Sequence, residues 1–104
     1  MQKYRISSMD KLLEVGDILS AIADSGKTLG LTPSISSNVN NPVGGLIWLL
    51  RKNNNKGHVE VLYDPGAKEI NVVPVSKESA GWTDSHAKLV AEYLAGRLDG
   101  HIVN

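Results

Sequence analysis

Asp84-Ser85-His86 sets the three residue types of a hydrolytic triad in consecutive positions. A relay needs nucleophile, base and orienting carboxylate to point at one another. Consecutive residues on a helix point in different directions, so the run reads as a helix start with Asp84 at the positive end of the dipole. Asp24-Ser25-Gly26-Lys27-Thr28 matches the end of a phosphate-binding loop. The whole motif needs a glycine five residues before the second one, between a strand and a helix. That position is Ala21, inside a predicted helix. The segment therefore reads as a helix C-terminus with Gly26 as its stop residue.

The histidines are His58, His86 and His101, and they share no ligand spacing. The chain has no cysteine to complete a zinc site. Neither a metal nor a cofactor is expected. His58 and Glu60 face the same side of one predicted strand, and with His86 they are the acid–base groups an enzyme would have to use. They read as solvated residues, and no catalytic residue is assigned.

Recognition has better candidates. Arg51-Lys52-Asn53-Asn54-Asn55-Lys56 gathers cations and amides at a predicted hairpin tip, where they suit an acidic partner or a phosphate. Lysines at a strand end also keep a sheet soluble. The Ser34 to Gly45 segment is polar and lacks any acid, base or thiol, so it suits hydrogen-bonded recognition rather than catalysis. Trp82 precedes a helix, where it acts either as a staple packing back near His86 or Ala87, or as an aromatic anchor at an interface. The candidate interaction surface is Asn38, Asn40, Asn41, Arg51, Lys52, Asn54, Lys56 and Trp82.

Two amphipathic helices and a meander must position these residues. Lys3-Tyr4-Arg5-Ile6 alternates as a short edge strand. Ser7-Ser8-Met9-Asp10 fits a capping box, and a helix from Met9 to Asp24 follows with Leu12, Val15, Leu19 and Ile22 on one stripe. Lys27 to Pro42 reads as a long loop, with Leu31 to Ile35 as a possible short strand. Leu46 to Leu50 is apolar on both faces and reads as a central strand covered twice. In His58 to Tyr63, Val59, Val61 and Tyr63 face one way and His58, Glu60 and Leu62 the other. A turn at Asp64-Pro65-Gly66-Ala67 leads to a strand from Glu69 to Val75, whose Pro74 marks an edge or a bulge. A last helix runs from Thr83 or Asp84 to Asp99, with Leu89, Val90, Tyr93, Leu94, Arg97 and Leu98 inward and Gly100 as its end.

The chain has 104 residues, the length of one domain spanning 1–104. Its 11 basic and 11 acidic residues cancel, which disfavours a dedicated duplex-DNA binder and promotes self-association. Without cysteine there is no disulfide framework. Charges throughout the first twenty residues leave no apolar signal region. The longest uncharged apolar run, Val43 to Leu50, has eight residues and is too short to span a bilayer. These readings favour a cytoplasmic chain.

Together they predict an α+β fold: a three- or four-stranded antiparallel sheet, its meander running from Gly44 to Val75, with two amphipathic helices packed on one face. The second face of the central strand would be covered by the long loop or by a second copy in a homodimer. The favoured function is a small non-catalytic module that binds and regulates or neutralises a protein partner. The alternatives are single-stranded nucleic-acid binding across the sheet and the Arg51–Lys56 hairpin, and a small-ligand binder or enzyme with a pocket between sheet and helices.

Overall fold

The structure, a computed structural model, describes residues 3–7, 14–39, 45–53, 56–75 and 81–103, with the backbone alone at residue 15 and residues 35–39. Its strands are β1 (Tyr4–Ser7), β2 (Thr32–Val39), β3 (Gly45–Arg51), β4 (His58–Asp64), β5 (Glu69–Val75) and β6 (His101–Val103). They form one antiparallel sheet in the order β2-β3-β4-β5-β1-β6. Helix α1 (Val15–Thr28) carries the chain from β1 to the far edge at β2, and α2 (Gly81–Leu98) links β5 to β6. The α+β class and the β3-β4-β5 meander agree with the pattern in the sequence. The expected three or four strands are corrected to six among the described residues.

The added strands have weak sequence signatures for physical reasons. β2, expected as most of a loop, reads TPSISSNV, with only Ile35 and Val39 apolar. It pairs with β3 alone, with a register shift between Ile35 and Ser37, and an edge strand tolerates such polarity. β6 is three residues long, too short for alternation to register. It pairs with β1, so β1 lies inside the sheet rather than at its edge. Pro74 sits in an inner strand, yet β1 pairs only with Ile70, Asn71 and Val72. The N–H that proline lacks thus falls where the described β1 pairing has ended.

Alternation along the strands sends Tyr4, Ile6, Trp48, Leu50, Val59, Val61, Tyr63, Ile70 and Val72 into one core beneath the helices. α1 contributes Ile18, Ala21 and Ile22, and α2 contributes Ala87, Val90, Ala91, Leu94 and Leu98. Trp48, at 4% exposure, is a core residue as its strand predicts. β3 is second from the edge rather than central. Its Ile47 and Leu49 point away from the helices and stay partly exposed.

Both helices depart from their predicted frames. α1 starts at Val15, where the Glu14 N–H donates to the Asp17 carboxylate at 2.9 Å. Of the capping box expected at Ser7 to Asp10, Ser8, Met9 and Asp10 lie outside the described residues, as does Leu12 of the expected stripe. The stripe turns toward Ile18, Ala21, Ile22 and Ser25, leaving Leu19 partly exposed. Gly26 does not stop the helix. It lies within the last turns, where an added Cβ would stand 3.4 Å from Leu50, Pro33 and the Leu31 carbonyl. Its smallness lets α1 approach the sheet, and the chain instead turns at Gly30, with φ of 74°. In α2, Leu89 is 44% exposed rather than inward. The helix starts at Gly81, ahead of the Thr83 or Asp84 start expected, so Thr83 lies buried within its first turn. The helix ends with Asp99 in the left-handed region, φ 55°, while the Gly100 N–H donates to the Ala95 carbonyl at 2.9 Å. No helix among the described residues is long and apolar enough to cross a membrane.

Candidate functional site

Both described helices occupy one face of the sheet, and among the described residues the other face is open. Residues on the open face follow from the register. One row across the strands is Ile47, Leu62, Asn71, Arg5 and Val103. The next is Ser34, Leu49, Glu60 and Val73, and His58 pairs with Val75 beyond it. Ile47, Leu49, Leu62, Val73 and Val75 are all partly exposed there. In this apolar strip, Ile47, Leu49 and Leu62 adjoin one another on β3 and β4, Val73 and Val75 adjoin on β5, and the two apolar groups meet only along the Leu62–Val73 diagonal, with Glu60 and Asn71 at the direct cross-strand positions.

Charge frames this strip unevenly. Arg51 and His58 stand at its hairpin end, with Lys52 and Lys56 beyond in the β3–β4 connection. Lys3 and Arg5 lie on the β1 flank. Asp64 and Glu69 pair at the opposite strand end. The Asp64 carboxylate is occupied in part by its own turn, accepting from the Gly66 and Ala67 N–H groups at 3.0 and 3.2 Å. His58 titrates below its ordinary value, chiefly because burial disfavours its cation, then because of the Arg51 charge, with Glu60 acting the other way.

The sequence-predicted candidates fall in three groups. Arg51 and Lys56 are exposed at the hairpin and Lys52 is partly buried. Asn38 lies in β2, with only its backbone described. Asn40, Asn41 and Asn54 lie outside the described residues. Trp82 reaches from the first turn of α2 to the same hairpin, where its indole N–H donates to the Lys56 carbonyl at 2.8 Å. Its ring meets His86 edge-on at 5.5 Å. Because α2 already starts at Gly81, Trp82 lies within the helix rather than before it, and this is an i,i+4 pair on one helix, not the staple expected from the sequence. Trp82 therefore fixes the hairpin against α2, and remains partly exposed beside the charged tip.

The triad-like residues are engaged otherwise. Ser85 Oγ donates to the Trp82 carbonyl at 3.1 Å, and His86 Nδ1 lies 3.0 Å from the same oxygen. Both serve the first turn of α2. The three histidines sit on three elements, β4, α2 and β6. Among the described residues no group of three or more His, Cys, Asp or Glu is placed to hold a metal ion.

The apolar strip and the Lys3–Arg5 pair are absent from the sequence-based candidates. Alternation in β4 already turned Leu62 away from Val61, and the β4–β5 register adds Val73 and Val75 on the same side. The missing fact was that both helices cover the opposite side. No known protein family, curated protein or solved structure is matched by this chain.

Proposed function

We propose that this chain is a non-catalytic interaction module that binds a protein partner through the open face of its sheet and so regulates or neutralises that partner. The observation that carries the reading is the two adjoining apolar groups, Ile47, Leu49 and Leu62 on β3 and β4 and Val73 and Val75 on β5, on a face that neither described helix covers. Contiguous exposed apolar surface rimmed by charge marks interaction sites. The charge pattern specifies the partner: apolar where it meets the strip, with carboxylates opposite Arg51 at the hairpin end and opposite Lys3 and Arg5 on β1. The hairpin cations extend the same surface at the end of the sheet, where Trp82 of α2 holds the hairpin from the other side.

Single-stranded nucleic acid is the weaker reading. Such surfaces stack bases on exposed aromatic rings. Here Tyr4, Trp48 and Tyr63 all turn into the core, and the open face of the described strands carries aliphatic side chains instead.

The test is affinity capture with the wild-type chain and with Leu49→Lys, followed by reconstitution with the purified captured protein and titration calorimetry. Loss of affinity by about thirtyfold in Leu49→Lys, the scale of a hot spot, with a cooperative melt retained, supports the reading. Equal affinity in the two chains overturns it. So does binding that disappears with nuclease treatment. Light scattering at twice the chain mass, reversed by Leu49→Lys, would assign the face to a second copy instead.

A further inference from the structure

A cleft of about 330 Å³ opens on the same face of the sheet, lined by Lys3, Arg5, Asn71 and Val103. We propose that it binds a small organic anion through a carboxylate or phosphate group. This inference shares Lys3 and Arg5 with the protein-docking reading but needs neither the apolar strip nor the hairpin, so either can fail without the other.

The register builds the cleft. Asn71, Arg5 and Val103 lie side by side on β5, β1 and β6. Lys3 immediately precedes β1, two residues before Arg5, and both cations line the cleft, about 6.6 Å apart if the extended backbone of β1 reaches back to Lys3. Lys3, Arg5, Asn71 and Val103 together line it. Like charges so placed repel, and neither makes an ion pair among the described residues. Arg97, by contrast, pairs with Asp24 at 3.0 Å. An oxyanion between Lys3 and Arg5 would relieve that repulsion.

The groups present differ in ways that suit one ligand. Arg5 offers the planar fork that meets a carboxylate or phosphate with two parallel bonds. Lys3 adds a point charge, and the Asn71 amide adds a neutral donor and an acceptor. Val103 gives an apolar wall for the carbon body that carries the anion. The volume is at the lower end of small-molecule sites, which favours a compact mono- or dianion over a dinucleotide.

The test is a two-dimensional amide NMR titration of the full chain with inorganic phosphate and, separately, succinate, at ionic strength held constant with sodium chloride. Saturable shifts centred on Arg5, Asn71 and Val103 are expected, with affinity reduced by about tenfold in Arg5→Gln and in Lys3→Gln but unchanged in Lys88→Gln on α2. Phosphate binding without succinate binding would restrict the site to phosphates, and the reverse to carboxylates. Shifts that do not saturate, that fall equally on Arg51, Lys52 and Lys56, or that survive Arg5→Gln would overturn the proposal. Because the spectrum also reports folding, a variant that fails to fold is recognised at once, and Arg5→Lys then tests the site through loss of the bidentate geometry alone.

Discussion

Val61 and Leu62 are neighbours on β4 that face opposite ways, and truncating each to alanine measures which face is the core. Val61 is fully buried and sits between Trp48 and Val72 in the register, beneath the helices. Val61→Ala removes two buried carbons, costing about 1.6 kcal/mol in transfer free energy. The hole left, roughly 55 Å³, adds about 1.3 kcal/mol if its walls do not collapse. The expected loss is therefore about 3 kcal/mol, a fall in melting temperature of about 12–20 °C for a chain of this size. Leu62→Ala removes three carbons, yet its site opens to water and encloses no cavity. Its expected cost is about 1 kcal/mol. Val61→Ala also gives up more β propensity than Leu62→Ala, because Val is β-branched, a share of at most about 0.5 kcal/mol that is smaller than the difference expected. Urea unfolding followed by circular dichroism supplies the two values. A Leu62→Ala loss equal to or larger than that of Val61→Ala would refute the assignment of the faces, and with it the open strip.

Three further outcomes are expected. Trp82→Phe keeps the ring but loses the bond to the Lys56 carbonyl; it should cost about 0.5–1.5 kcal/mol and speed amide exchange around the hairpin, read by hydrogen–deuterium exchange. His58 has a lowered pKa in the folded chain, so the unfolded chain takes up that proton first. The stability His58 contributes is whole above pH 6.5, its ordinary value, and is lost as pH falls below that value towards the lowered one. Urea midpoints at about pH 7.5 and about pH 5.5 should therefore differ more in the wild type than in His58→Gln. Asp99→Gly relieves the left-handed residue that ends α2 and should stabilise by about 0.5–1 kcal/mol, read from the same denaturation curves.

The meander was legible because its strands obey a strict period of two and its turns carry their own chemistry. Asp64 to Ala67 forms the expected turn, and Gly57 takes the positive φ its place demanded, 85°. β2 was obscured because an edge strand can be built from Ser, Thr and Asn, the residues that also mark loops. α1 was displaced because Gly26 looks like a stop when read alone. Its real reason, the close approach to Leu50 and Pro33, depends on residues that only the fold brings near. Part of the recognition surface was visible as the basic hairpin. The apolar strip was not, because Ile47 and Leu49 read as a buried second face until the positions of both helices were known. The Lys3–Arg5 cleft needs β6 as its far wall, and a three-residue strand leaves almost no trace in sequence.

The central claim, that the open sheet face receives a protein partner, is tested most directly by methyl NMR of the chain with and without the captured protein. The methyls of Ile47, Leu49, Leu62, Val73 and Val75 are predicted to shift or broaden on complex formation, while those of Val59, Val61, Ile70 and Val72 hold their positions. Perturbations confined to α2 and the outer side of α1, with the sheet methyls unchanged, would contradict it.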